Sequence, residues 1–136
     1  MTIIGAGPIV AILNPNDSQH QWCLEAAGPL APPLLTCEAV LTESFHLLER
    51  RTSDGVASLR TMLDREFLKV SFSLDSELQS VLHLLEKYTD QPMSFADACL
   101  VRMSELYPDH RVFTVDSGFR VYRRFGRRVV PLLIPR

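Results

Sequence analysis

Three acids in this chain, Glu43, Asp97 and Asp116, fall where a carboxylate could do chemistry rather than only keep a surface wet. Each lies at the carboxyl side of a unit that reads as strand and helix, where the functional groups of open parallel α/β sheets collect. Carboxylates are hard oxygen donors, so a group of them at one mouth suits Mg²⁺ or Mn²⁺ and the hydrolytic chemistry such ions support. Each acid also has a plainer reading. Glu43 could be an exposed helix acid, Asp97 a first-turn residue favoured by the helix macrodipole, and Asp116 a turn cap. No histidine (His20, His46, His83 or His110) falls in the segments that carry the acids, and none is needed for metal-assisted hydrolysis on carboxylates.

The elements that must position these acids alternate. Thr2-Ile3-Ile4 is a β-branched run that breaks into Gly5-Ala6-Gly7-Pro8, so a buried strand ends in a tight turn and Pro8 opens a short helix through Leu13. Asp17 or Ser18 is expected to cap a second helix ending at Gly28-Pro29. Leu34-Leu35-Thr36 reads as a second strand feeding a helix to Arg50-Arg51, and Glu43 lies within that helix. A helix from Asp54-Gly55 to about Arg65 and a strand marked by Leu68, Val70 and Phe72 come next. Ser76 is expected to cap the following helix, and Ser94 starts another that carries Asp97. Arg111 to Val115 is the fourth strand, with Asp116 at its end; Ser117 to Phe125 is a short helix or turn, and Val129 to Ile134 a last strand. Such alternation implies right-handed crossovers and a mostly parallel sheet covered on both faces.

Length and composition set the frame. A chain of 136 residues is expected to make one domain, 1–136, with a single core. No apolar run approaches the ~20 residues of a membrane span, and Met1-Thr2-Ile3-Ile4 lacks a signal peptide's basic start, so the cytoplasm is the expected location. Cys23, Cys37 and Cys99 are odd in number and widely spaced, which argues for buried thiols rather than disulfides or a zinc knuckle. The net charge of −2 hides an asymmetry: seven arginines from Arg111 to Arg136 face the single acid Asp116. That basic segment is either a solvated face or a site for phosphate or an acidic partner. The turn Gly5-Ala6-Gly7-Pro8 lacks the third glycine of a dinucleotide-binding loop, and only Glu25 stands near the place of the ribose-binding acid.

The segments Ile4 to Leu13, Leu41-Thr42-Glu43, Met93 to Ala98 and Phe113-Thr114-Val115-Asp116 together resemble the PIN domain, most closely the VapC toxins of bacterial toxin-antitoxin pairs. The resemblance spans nearly the whole chain in the family's order. It implies a three-layer α/β/α sandwich around a mostly parallel sheet. It also implies a ribonuclease, a metal-dependent (magnesium or manganese) hydrolase that cuts inside an RNA chain, with RNA as substrate and a cognate antitoxin as partner. Homodimerisation is a further expectation. By position, Glu43, Asp97 and Asp116 match family carboxylates that bind metal and act in catalysis, and Thr114 matches a supporting hydroxyl. Arg123, Arg124, Arg127 and Arg128 are the candidate contacts to RNA or antitoxin.

Two positions depart from the family pattern. Gly5 stands where the family has a first-strand aspartate, with Ala6 where a serine or threonine usually follows, and Ser94 stands where many relatives have an additional acid. Both changes remove oxygen ligands, so weak metal binding and impaired catalysis are expected while the fold is untouched. The alternative is a non-catalytic PIN-like module that binds RNA or an antitoxin without turnover. Gly5 is compatible with a natural loss or an introduced silencing change.

Overall fold

The computed structural model of the protein describes residues 1–136. Its strands are β1 (Thr2–Ile4), β2 (Leu34–Thr36), β3 (Leu68–Val70) and β4 (Arg111–Phe113), then the pair β5 (Arg123–Arg124) and β6 (Arg128–Val129), and last β7 (Leu132–Leu133). The helices are α1 (Ala6–Leu13), α2 (His20–Ala27), α3 (Glu38–Arg51), α4 (Gly55–Asp64), α5 (Leu74–Lys87) and α6 (Phe95–Leu106). Five strands form one parallel sheet in the order β3-β2-β1-β4-β7. From β1 the chain steps outward to β2 and β3, then returns across the sheet and lays β4 on the other side of β1. Strand order therefore reverses between β1 and β4, the place where loops diverge and open a crevice. Right-handed crossovers put α1 to α4 on one face and α5 and α6 on the other, giving the three-layer α/β/α sandwich.

The central strands are apolar because both of their faces are covered. Ile3, Ile4, Val112 and Phe113 are all fully buried. Trp22 of α2 packs edge-on against Phe113, with ring centroids 5.9 Å apart. These side chains belong to one hydrophobic core that runs through every layer. Cys23, Cys37 and Cys99 are buried free thiols, and burial pushes the Cys23 thiol up to about 11, so it stays protonated and inert.

Local chemistry shifts several expected boundaries. The first helix begins at Ala6, with Gly5 as its N-cap, so Pro8 sits within the first turn, where a missing N–H costs nothing. Asp17 does not cap α2; its Oδ1 accepts the Gln19 N–H at 2.8 Å in the turn leading into the helix. Ser76 does not cap α5, whose N-cap is Ser73, three residues earlier. The expected last strand, Val129 to Ile134, is broken in two. Arg128–Val129 pairs antiparallel with Arg123–Arg124 in a hairpin, while Leu132–Leu133 joins β4 in the main sheet. Pro131 lies between them; it has no N–H to give either ladder, and its carbonyl accepts from Val112 at 2.8 Å. The hairpin reverses at Phe125 and Gly126, with φ of 50° and 82°, and Gly126 supplies the left-handed conformation at no steric cost.

Candidate functional site

The crevice between the ends of β1 and β4 is a pocket of about 160 Å³ whose lining includes Gly5, Glu43, Asp97, Leu100, Thr114 and Asp116. The backbone of β1 reaches it at Gly5, whose N–H donates to Phe113 O at 3.0 Å and so extends the β1–β4 ladder by one residue. Gly7 follows in the first turn of α1. A Cβ on Gly7 would stand 2.5 Å from Val115 Cγ2, so only glycine lets this turn approach the segment that carries Asp116. Glu43 comes from the second turn of α3. Side chains on a helix lean towards its N-terminus, and that lean carries Glu43 back towards the mouth of the sheet.

Asp97 is held by the start of α6. Ser94 Oγ accepts the Asp97 N–H at 3.0 Å and Asp97 Oδ2 accepts the Ser94 N–H at 3.1 Å, a complete capping box. Ser94 is therefore a helix cap. Tyr122 Oη also lies 3.4 Å from Asp97 Oδ2. Burial raises the Asp97 carboxyl above its ordinary 3.8; the Ser94 hydrogen bonds pull it back, while the charges of Asp116 and Glu43 push it further up. At the end of β4, the buried Thr114 Oγ1 accepts the Asp116 N–H at 3.0 Å. Asp116 Oδ1 in turn accepts the Gly118 N–H at 2.8 Å and caps a short 3₁₀ helix, Ser117–Arg120.

The plainer roles and the chemical one thus coexist. Asp97 and Asp116 each spend one carboxylate oxygen on a cap, and the other makes no hydrogen bond within the protein. No cation offsets the cluster, since the molecule's ion pairs join Arg102 to Glu77 and Glu105 on the outer helices. Mutually repelling carboxylates without a basic partner are what a hard cation relieves. No three acid, histidine or cysteine side chains stand close enough together to hold one ion as placed. The residues present therefore fit a weakly held Mg²⁺ or Mn²⁺ that takes at most two carboxylates and fills its shell with water. At position 5 the pocket is apolar: a Cβ there would meet Leu100 Cδ1 at 3.2 Å.

None of the histidines lines this pocket. His20 Nδ1 is engaged with Ala11 O at 2.6 Å, and His46 borders a neighbouring groove of about 430 Å³ together with Phe95 and Ser94. The largest depression, about 580 Å³, holds Arg50 and Arg51 beside Asn14, Asn16, Ser53 and Asp54. It lies at the ends of α1 and α3 remote from the acids.

The four arginines divide into two pairs. Arg123 Nη1 donates to the carbonyls of Arg120, Val121 and Tyr122. Arg124 Nη1 donates to Ser104 O at 2.7 Å and Pro108 O at 3.0 Å, tying down the last turn of α6. Arg127 and Arg128 are exposed. The hairpin tip is pinned where Phe125 N donates to Glu105 Oε2 at 2.7 Å and Lys87 Nζ to Gly126 O at 2.8 Å. Glu105 is eight residues beyond Asp97 on α6, about 12 Å along the helix, so the tip stands at the opposite end of α6 from the acids.

Sequence reasoning missed Tyr122 and Leu100. Leu100 lines the pocket and Tyr122 reaches Asp97 through tertiary packing, and neither stands in a motif with a spacing of its own; the one local hint is that Tyr122 lies six residues beyond Asp116, on the far side of a turn.

No protein-family model and no curated protein matches the sequence. The fold does match solved structures. VapC20 of Mycobacterium tuberculosis, described as a toxin that cleaves the sarcin-ricin loop, aligns with a TM-score of 0.80 at 19% identity, covering 94% of this chain and 99% of that one. No helix of the protein is long and apolar enough to cross a membrane. With near-complete coverage of both chains, the protein shares the three-layer α/β/α fold of that VapC toxin.

Proposed function

We propose that the protein is a VapC-like endoribonuclease with a weakened metal site, impaired because Gly5 provides no carboxylate at the end of β1. The observation that carries this reading is the meeting of Glu43, Asp97 and Asp116, none of them in an ion pair, in one pocket at the switch point of a VapC-like sheet. Mg²⁺ or Mn²⁺ bound there would supply an activated water and neutralise charge on the phosphate. Asp97 and Asp116 would hold the ion by the oxygens their caps leave free, Thr114 would fix the direction of Asp116, and Glu43 would close the rim. RNA is the substrate and an antitoxin the natural partner on this reading, and the cytoplasm is where both are met.

The test is digestion of structured RNA that contains a sarcin-ricin loop, with Mn²⁺ and with EDTA. Slow cleavage in Mn²⁺ that EDTA abolishes is expected. RNA binding with no cleavage at any metal concentration would instead establish the second reading, a non-catalytic module that binds RNA or an antitoxin. That reading is favoured by the apolar Leu100 beside Gly5 and by the lack of a three-acid ligand group.

The arginines give a separate expectation. Replacing Arg127 and Arg128 with glutamine should weaken RNA binding and lower the slope of log K against log salt by about 1.4, two single-strand phosphate contacts at ~0.7 each. The same change at Arg123 and Arg124 should chiefly lower the melting temperature, because their guanidiniums serve backbone carbonyls. Salt-titrated binding and thermal melts on the two double variants distinguish these roles. An unchanged slope for the Arg127/Arg128 variant would place RNA elsewhere.

A further inference from the structure

We propose that Tyr122 is a positioning residue for the acid cluster: a buried phenol that fixes the carboxylate of Asp97 in the direction a metal ion requires. The inference rests on the metal-site reading above and adds a residue to it. Tyr122 is 1% exposed, and its ring is wedged edge-on between Tyr88 and Phe119, at centroid separations of 5.3 and 5.1 Å. A ring gripped on two sides has little freedom at χ1 or χ2, so its hydroxyl is aimed by packing alone. That hydroxyl lies 3.4 Å from Asp97 Oδ2, the oxygen that also accepts the Ser94 N–H. With two donors on Oδ2, the carboxylate plane is set and Oδ1 is left free.

The same hydroxyl also borders the second acid. A Cβ added to Gly118 would stand 3.3 Å from Tyr122 Oη and 3.1 Å from Asp116 Oδ1. Tyr122 Oη and Asp116 Oδ1 thus flank the same point beside Gly118, and the phenol O–H is a dipole that nearby carboxylates favour. A phenol keeps its proton at neutral pH and a carboxylate can only accept, so the phenol is the donor in its contact with Asp97. Tyr88 makes a useful contrast. It belongs to the same aromatic stack, yet its hydroxyl accepts the Arg123 backbone N–H at 2.8 Å and touches neither acid.

Groups that orient a metal-binding carboxylate typically change metal affinity about 10–100-fold when removed. The experiment is Mn²⁺ binding by calorimetry, with thermal melts of the metal-free protein, on the unaltered chain, Tyr122→Phe, Tyr88→Phe and Asp97→Asn. Tyr122→Phe keeps the ring and should weaken Mn²⁺ roughly tenfold. Tyr88→Phe should melt earlier yet bind Mn²⁺ as the unaltered chain does. If Tyr122→Phe binds Mn²⁺ normally while Asp97→Asn does not, the positioning role is overturned and the metal site stands. If both tyrosine variants weaken binding alike, the effect is one of packing and the inference is likewise overturned. If the unaltered chain and Asp97→Asn are equally silent towards Mn²⁺, the metal site itself fails and this role falls with it.

Discussion

Gly5→Asp is expected to raise Mn²⁺-dependent cleavage of structured RNA by on the order of 100-fold, the factor that an ångström of misplacement costs a reacting group. The backbone at Gly5 is extended, with φ −90° and ψ 175°, so an L-residue fits there without strain. The new carboxylate would stand at the switch point, beside the pocket that Glu43, Asp97 and Asp116 already line. The added Cβ makes one tight contact, with Leu100, whose Cδ1 must yield a few tenths of an ångström. As the N-cap of α1 an aspartate also gains a hydrogen bond that glycine cannot make, worth a few tenths of a kcal/mol. The measurement is a side-by-side digestion with Mn²⁺ and with EDTA, alongside calorimetry of metal binding. Equal rates and equal affinities in the two forms would mean that position 5 does not face the ion.

Asp97→Asn should move stability and metal response in opposite directions. The Asp97 carboxyl is raised above its ordinary 3.8, first by burial and then by Asp116 and Glu43. The folded state therefore binds a proton more readily than the unfolded chain, and metal-free stability falls as pH rises from about 3.8 towards the raised folded value. Above that window the charged Asp97 is a standing cost. Asparagine retains a carbonyl oxygen for the Ser94 N–H but carries no charge, so the metal-free variant should melt higher at neutral pH and lose that segment of the pH profile. It should also lose Mn²⁺-induced stabilisation, and in the Gly5→Asp background it should remove the restored cleavage. Thermal melts between pH 4 and 8, with and without Mn²⁺, check both halves. A variant that melts lower and still responds to Mn²⁺ would remove Asp97 from the site.

Much of this architecture was legible because the central strands are buried on both faces. Thr2 to Ile4 read as a β-branched run that breaks at Gly5, and Leu34 to Thr36 as a short strand after a proline-rich loop, and the structure puts strands there. The start of α6 was legible for another reason: Ser94 and Asp97 have the spacing of a capping box. The β5–β6 hairpin was not legible. Its arginines carry no apolar alternation, and the contacts that hold it, Arg124 to Ser104 and Phe125 to Glu105, are tertiary. For the same reason four arginines that look equivalent in the sequence prove to be two structural ones and two exposed ones. At the site, the positions of the acids could be read from the ends of elements. The hydroxyl of Tyr122 beside Asp97 depends on packing that no local pattern encodes.

The double duty of the caps has a consequence for how such a site decays. Asp116 caps a 3₁₀ turn, so that acid serves folding whether or not RNA is cut, whereas Asp97 closes a capping box with an oxygen that asparagine would also supply, and its charge is a cost to the metal-free fold. Position 5 has no comparable second task, since glycine is itself an accepted N-cap. Such a site can therefore lack a carboxylate at position 5 or 97 at little cost to the fold, while Asp116 is held by its cap.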